Sequence, residues 1–223
     1  MIVKMGKLTP LISLCLVFGQ ALALPTHPDP GHAPTVAVSN GSYFGVHLSN
    51  YQQDIFLGIP FAQPPVGDLR LRVPVSLNTS WTGVRNATEY SPACFGYGED
   101  TEFGAGNYCS EDCLTLNVVR PSGHGNKKLP VGVWIYGLVH TFGISSVQFI
   151  NRDPRGGFYE GSSRDPRYNL SFIVQQSVEI GKPIIGVSFN YRLHGWGFLY
   201  SQDIVKAGVA NLGLRDQRYD LSI

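Results

Sequence analysis

The residues in this chain best suited to chemistry are glycines. Gly137 closes the apolar run VGVWIY, and Gly156-Gly157 stand before Phe158, with residues 138–155 between the two groups. When those eighteen residues are lifted out, the text becomes VGVWIYGGGFYEG. Three consecutive glycines after a strand leave backbone N–H groups free to point into a cavity, with no Cβ in the way. A loop of this kind donates hydrogen bonds to the negative oxygen of a tetrahedral acyl-transfer intermediate. The nucleophilic half of such chemistry is not spelled out. An exposed serine on a strand-to-helix turn reads G-x-S-x-G, and the chain contains no such pentapeptide. Gly186-Val187-Ser188-Phe189-Asn190 comes nearest but lies within a strand-like run, so Ser188 reads as structural. His194 precedes any downstream serine, the reverse of the order Ser, Asp/Glu, His, and reads as a structural or exposed histidine. These residues do not assemble a nucleophile, base and orienting acid.

Parallel sheets bind ligands at the carboxyl ends of their strands, and Tyr136 ends such a strand. The elements that would position it follow from pattern. Residues 114–119 and 129–136 are apolar runs of strand length, the second continuous enough to be covered on both faces. Leu170, Ile173, Val174, Ser177 and Val178 keep helical spacing, with Asn169 as N-cap, Gly181 as the αL stop and Pro183 preventing continuation. The strand PIIGVSFN comes next, so strand, helix and strand make a βαβ unit of a parallel α/β sheet. Upstream, Asn40-Gly41 separates two strand-like runs and suits a two-residue hairpin turn. A third strand at residues 55–59 breaks into ordered coil at Pro60, Pro64 and Pro65. The early antiparallel strands are expected along one edge of the sheet, residues 69–89 as mostly loop, and Trp81 as a core filler.

Composition narrows the class of protein. The chain is 43% hydrophobic and 15% charged with 26 Gly and 15 Pro, as suits a loop-rich globular protein. A formal charge of +1 without a Lys/Arg block lacks the footprint of a nucleic-acid binder and favours a small-molecule or neutral substrate. Lys4 and Lys7, the apolar residues 8–18 and Ala21-Leu22-Ala23 read as a secretory signal over residues 1–23, too short and too interrupted by Pro10 and Gln20 for a stable membrane span. The mature chain would begin near Leu24, with an exposed leader over residues 25–34. Asn40, Asn78, Asn86 and Asn169 head N-glycosylation triplets, in keeping with a secreted, extracellular location. Removing the signal removes Cys15 and leaves Cys94, Cys109 and Cys113, most simply one bridge and one spare thiol, with spacing silent on the pairing. No Cys/His metal pattern appears among them, and neither a metal nor a cofactor is expected.

Several linked stretches are specific to a family. The contracted WIYGGGF, with GIPFAQPPVGDLRLRVP, SEDCLTLNV, FNYRLHGWGFL and ANLGLRDQR in order from Ile55 to Arg218, resembles the N-terminal part of the type-B carboxylesterases and lipases, which include cholinesterases and secreted fungal lipases. The resemblance implies the N-terminal part of an α/β-hydrolase fold, with a mixed sheet, antiparallel N-terminal strands and an end before the nucleophile elbow. It implies a serine ester hydrolase, with a small-molecule or lipid ester as the full-length protein's substrate. Gly156 and Gly157 are similar to the family's oxyanion donors, and Gly137 to the glycine that opens the loop. Cys94 and Cys113 would be its first disulfide, leaving Cys109 unpaired, and Arg70 and Glu111 its structural salt bridge. The choline-binding Trp of cholinesterases has no counterpart between Cys94 and Cys113, so a general esterase or lipase is the closer analogy.

Two departures accompany the match. Residues 138–155 split the oxyanion loop, and after Arg218 the family pattern gives way to YDLSI. Both begin where a coding sequence can read into an intron: Gly137 has codons containing GT, and Arg218-Tyr219 can be spelled AGGTAC. Two retained introns would supply the insertion and the tail at 219–223. On this reading residues 24–218 are part of one domain, and the chain as written is an inactive fragment whose sheet lacks covering strands and exposes an edge. The rival reading of 138–155 is a lid or recognition loop. The rival function is a secreted, cholinesterase-like binding or adhesion protein that keeps the fold without the triad, and a third is a stable fragment with an unrelated role.

Overall fold

The computed structural model describes residues 33–97, 108–125, 127–137, 143–144, 147–149 and 157–221. The chain opens with β1 (Thr35–Val38), β2 (Gly41–Phe44), β3 (Val46–Leu48) and β4 (Gln53–Pro60). Three short strands follow, β5 (Val84–Asn86), β6 (Ala93–Cys94) and β7 (Cys109–Ser110), then β8 (Thr115–Pro121) and β9 (Val131–Trp134). Within residues 138–155 lie β10 (Gly143–Ile144) and β11 (Val147–Phe149). After it come α1 (Ser171–Glu179), β12 (Ile185–Phe189), α2 (His194–Phe198), α3 (Gln202–Lys206) and α4 (Leu212–Asp220).

The main sheet has the order β10-β11-β9-β12-β8-β4-β3. β9 and β12 pair in parallel, whereas β12–β8, β8–β4 and β4–β3 are antiparallel. The sheet is therefore mixed, with its antiparallel part toward the N-terminal strands. β1 and β2 do not join that edge. They form a separate sheet with β5, inside the region expected to be loop. The hairpin register pairs Val38 with Gly41, so its two-residue turn is Ser39-Asn40 and Gly41 already belongs to β2. Glycine is needed there for packing: a Cβ on Gly41 would stand 2.3 Å from the Trp81 ring. Trp81 is half-buried, with its ring 5.1 Å from Tyr43 in a small core shared with Phe56 and Ala87.

Helix α1 packs on one face of the sheet, where Leu170 and Val174 meet Val119. Its residues Ser171, Val174 and Ser177 are buried, as is Leu170 just before it, but Val178 is turned outward and exposed. Asn169 Oδ1 accepts from the Ser171 N–H, and Gly181, at φ 71°, stops the helix by donating to Val178 O. At the carboxyl end of β12, α2 and α4 close over the Arg192 carbonyl. Cβ atoms on Gly197 and Gly213 would come within 2.1 and 2.4 Å of that oxygen, so glycine sets how closely these helices approach. Helix α4 passes through Arg218 without interruption as far as Asp220.

On the far side of β9 the three residues of β11 pair in parallel, Val147 opposite Val131 and Phe149 opposite Val133. Residues 147–149 thus lend backbone to the β9 edge that the sequence reading left bare. The signal stretch 1–23 lies outside the described residues.

Candidate functional site

The carboxyl ends of β9 and β12 are clasped by two tyrosines. Tyr136 and Tyr191 stack with ring centroids 4.6 Å apart and an interplanar angle of 18°. Tyr191 Oη donates to Tyr136 O at 2.7 Å, and Tyr136 Oη lies 3.2 Å from both the N–H and the carbonyl of Tyr191. Burial pushes both phenols above their ordinary pKa, which keeps them neutral donors. Gly137 leaves this clasp with φ 76°, in the left-handed region.

The chain returns at Gly157. Phe158 packs edge-on against Tyr191 at 6.4 Å and against Phe198 at 4.8 Å, and its carbonyl accepts from the His194 N–H at 2.8 Å. The next carbonyl, of Tyr159, accepts from the Tyr97 N–H at 2.7 Å. Tyr136, which precedes Gly137, and Phe158, which follows Gly157, thus both contact the same residue, Tyr191. Gly157 is exposed, with φ 40°. Gly156, the other candidate donor, lies outside the described residues.

A polar network supports this turn from below. Asn117 Nδ2 donates to Ser163 Oγ at 3.0 Å and Ser188 Oγ at 3.2 Å, while the Ser163 N–H donates to Asn190 Oδ1 at 3.0 Å. Ser188 is therefore a buried strand residue in a hydrogen-bonded web, away from any strand-to-helix turn. His194 opens α2 and is exposed, its ring 6.0 Å from that of Tyr97. Pattern reading missed the Tyr136–Tyr191 clasp and the asparagine web, whose partners are far apart in sequence.

A second unforeseen feature is the fully buried pair Arg192–Asp216. The Arg192 backbone N–H, Nε and Nη2 all donate to the Asp216 carboxylate, at 3.1, 2.8 and 2.7 Å, and Nη1 donates to Arg72 O. Burial raises the Asp216 pKa, and the Arg192 bonds oppose that rise. The pair ties the end of β12 to α4. Farther out, Cys94 and Cys113 form a disulfide, Cys109 is free and half-buried, and burial pushes its thiol pKa up. Arg70 holds Glu111 through two 2.6 Å bonds and draws the carboxyl below its ordinary range. Of the glycosylation candidates Asn78, Asn86 and Asn169 are exposed and Asn40 is half-buried. Among the described residues no group of three His, Cys, Asp or Glu side chains is placed to hold a metal, and no helix is long and apolar enough to cross a membrane.

The carboxylesterase family profile matches residues 32–153, more than half of the chain. Lipase 4 of Diutina rugosa is 38% identical over 90% of this chain and 36% of its own length. A secreted triacylglycerol lipase of Gibberella zeae is 36% identical over 90% of this chain and 33% of its own. Among solved structures, the Aspergillus niger esterase EstA superposes with a TM-score of 0.65 at 36% identity, covering 85% of this chain and 32% of that one. A thermophilic PNB esterase gives 0.68 at 31% identity, covering 85% and 34%. The chain spans about a third of the length of these relatives, and the part it spans has their α/β-hydrolase architecture. With the mixed sheet and this profile match together, the chain belongs to the carboxylesterase family.

Proposed function

We propose that the gene behind this chain encodes a secreted carboxylic ester hydrolase acting through a serine acyl-enzyme, and that the 223-residue polypeptide by itself is catalytically silent. The observation that carries this reading is that Tyr136 and Phe158, the neighbours of Gly137 and Gly157, both pack on Tyr191 at the carboxyl ends of two parallel strands, with Ser188 committed to a buried network. In the contiguous loop, Gly156 and Gly157 donate N–H bonds to the oxyanion and Gly137 opens the turn. The serine attacks the ester carbonyl, the alcohol leaves, and water hydrolyses the acyl-enzyme. Loss of one oxyanion donor costs about 10²–10³ in rate. Without the serine the covalent route is absent. Ester substrates fit the names of the relatives, and secretion fits the leader at 1–23, the four glycosylation triplets and the secreted fungal relatives.

On the same reading residues 24–218 are the N-terminal part of one hydrolase domain, and 138–155 and 219–223 derive from retained introns. Splitting the loop separates Gly137, which opens the turn, from donors that need to hold their places to within about 0.5 Å. Sequencing the transcript across Gly137 to Gly157 and beyond Arg218 tests this. The expected message joins Gly137 to Gly156 and continues to a G-x-S-x-G. A message matching this chain codon for codon, together with turnover of a short-chain ester that a serine-directed inhibitor abolishes, overturns it.

A further inference from the structure

Two consecutive residues just past β12 hold both ends of the turn that follows the glycines. Tyr191 takes the near end, where it packs on Phe158 beside Gly157. Asn190 takes the far end, where its Oδ1 accepts from the Ser163 N–H at 3.0 Å. The same side chain donates from Nδ2 to Pro92 O at 3.0 Å, and its backbone N–H donates to Thr115 O at 2.9 Å. Asn190 is fully buried, so its grip owes nothing to exposed surface. The partners dictate the residue type. Ser163 offers a hydrogen and Pro92 an oxygen, and a planar amide meets both with one acceptor and one donor on the same carbon. They also fix which way round the amide stands. An apolar side chain of similar size would leave a buried N–H and a buried carbonyl unpaired, each at a cost in free energy. Between the two grips, Gly161 has φ 108° and lies so close to Tyr136 that a Cβ would stand 2.7 Å from its ring. The turn is therefore pinned at both ends and in the middle, which limits where the Gly157 N–H can point.

We infer that Asn190 is a positioning residue for the oxyanion donor Gly157, acting through Ser163 and the turn between them. Its part in catalysis rests on the esterase reading. The placement of Gly157 by Asn190 does not, and it is measured without turnover.

The test follows amide resonances and hydrogen exchange of the isotope-labelled chain. In the parent, the Ser163 N–H should be as well protected from exchange as the Asn190 N–H, because both open only with the fold around them. Asn190→Leu should cut the protection of the Ser163 N–H by about tenfold or more, the range for a lost buried hydrogen bond, and should move the Gly157 resonance. Asn190→Asp is the conservative variant. At about pH 4, where burial keeps its carboxyl protonated, it can accept from Ser163 and donate to Pro92 O as the amide does, and both signals should return to the parent's values at the same pH. A residue that only stabilises the fold would lower the urea midpoint and leave the Gly157 resonance of the folded chain where it was. That result overturns the inference. So does a folded Asn190→Asp chain at acid pH in which neither signal returns, or a Ser163 N–H that exchanges far faster than that of Asn190 in the parent. The last measurement needs no variant, so the test stands if Asn190→Leu fails to fold. The transcript sequence has no bearing on these signals, so failure here and failure of the esterase reading are told apart.

Discussion

Asp220, in the last turn of α4, offers a sharp test of the packing at the end of the chain. It is only 9% exposed, its Oδ1 has no partner among the described residues, and burial pushes its carboxyl up to about 7 from an ordinary 3.8. A carboxylate at a helix C-terminus is also opposed by the helix dipole. Because the folded pKa is raised, the native state holds the proton more tightly than the unfolded chain. Its contribution is fully present below about pH 4 and is lost as pH rises to about 7, with little change beyond. At 1.36 kcal/mol per pKa unit, roughly three units correspond to about 4 kcal/mol. Asp220→Asn keeps the shape and removes the titration. Urea unfolding of both proteins from pH 4 to 8 should show near-equal stability at the acid end and a variant advantage that grows to a few kcal/mol by pH 8. Other titrating groups are common to both proteins and cancel in the difference. Parallel pH profiles for the two would refute the reasoning, because they would mean that Asp220 is solvated or finds a partner.

Arg192→Met should destabilise the chain by about 3–5 kcal/mol, since it leaves Asp216 buried and unpaired; a shift in urea midpoint checks it. Gly161→Ala should lower stability by more than about 1 kcal/mol, because Gly161 has φ 108° and a Cβ there would stand 2.7 Å from Tyr136 Cδ2; thermal melting reports it. Arg70→Gln, by contrast, removes a pair whose arginine is 48% exposed, and should leave the urea midpoint nearly unchanged. Separating Cys94 from Cys113 with Cys94→Ser should cost about 2–4 kcal/mol, read as a fall in melting temperature equal to that caused by reduction of the parent chain.

How far the fold could be read varied by element. The βαβ unit was legible because its cues are local: an apolar run, a helical spacing from Leu170 to Val174, a glycine stop and a second apolar run. The hairpin was legible as a hairpin, yet the role of Gly41 was not. A turn and a close contact with Trp81 both ask for glycine, and only the register Val38–Gly41 separates them. Val178 illustrates the limit of periodicity, which gives the helix a face but not the width of surface available to cover it. At the candidate site the glycines were readable and their supports were not.

Residue types and local order alone determined the carboxylesterase kinship, the parallel α/β unit and the absence of G-x-S-x-G, since each is written in neighbouring residues. The tertiary structure decided the separate N-terminal sheet, the Tyr136–Tyr191 clasp and the burial of Arg192 with Asp216. Those features depend on which distant segments share a surface, and burial and hydrogen-bond partnership exist only once the chain has closed on itself.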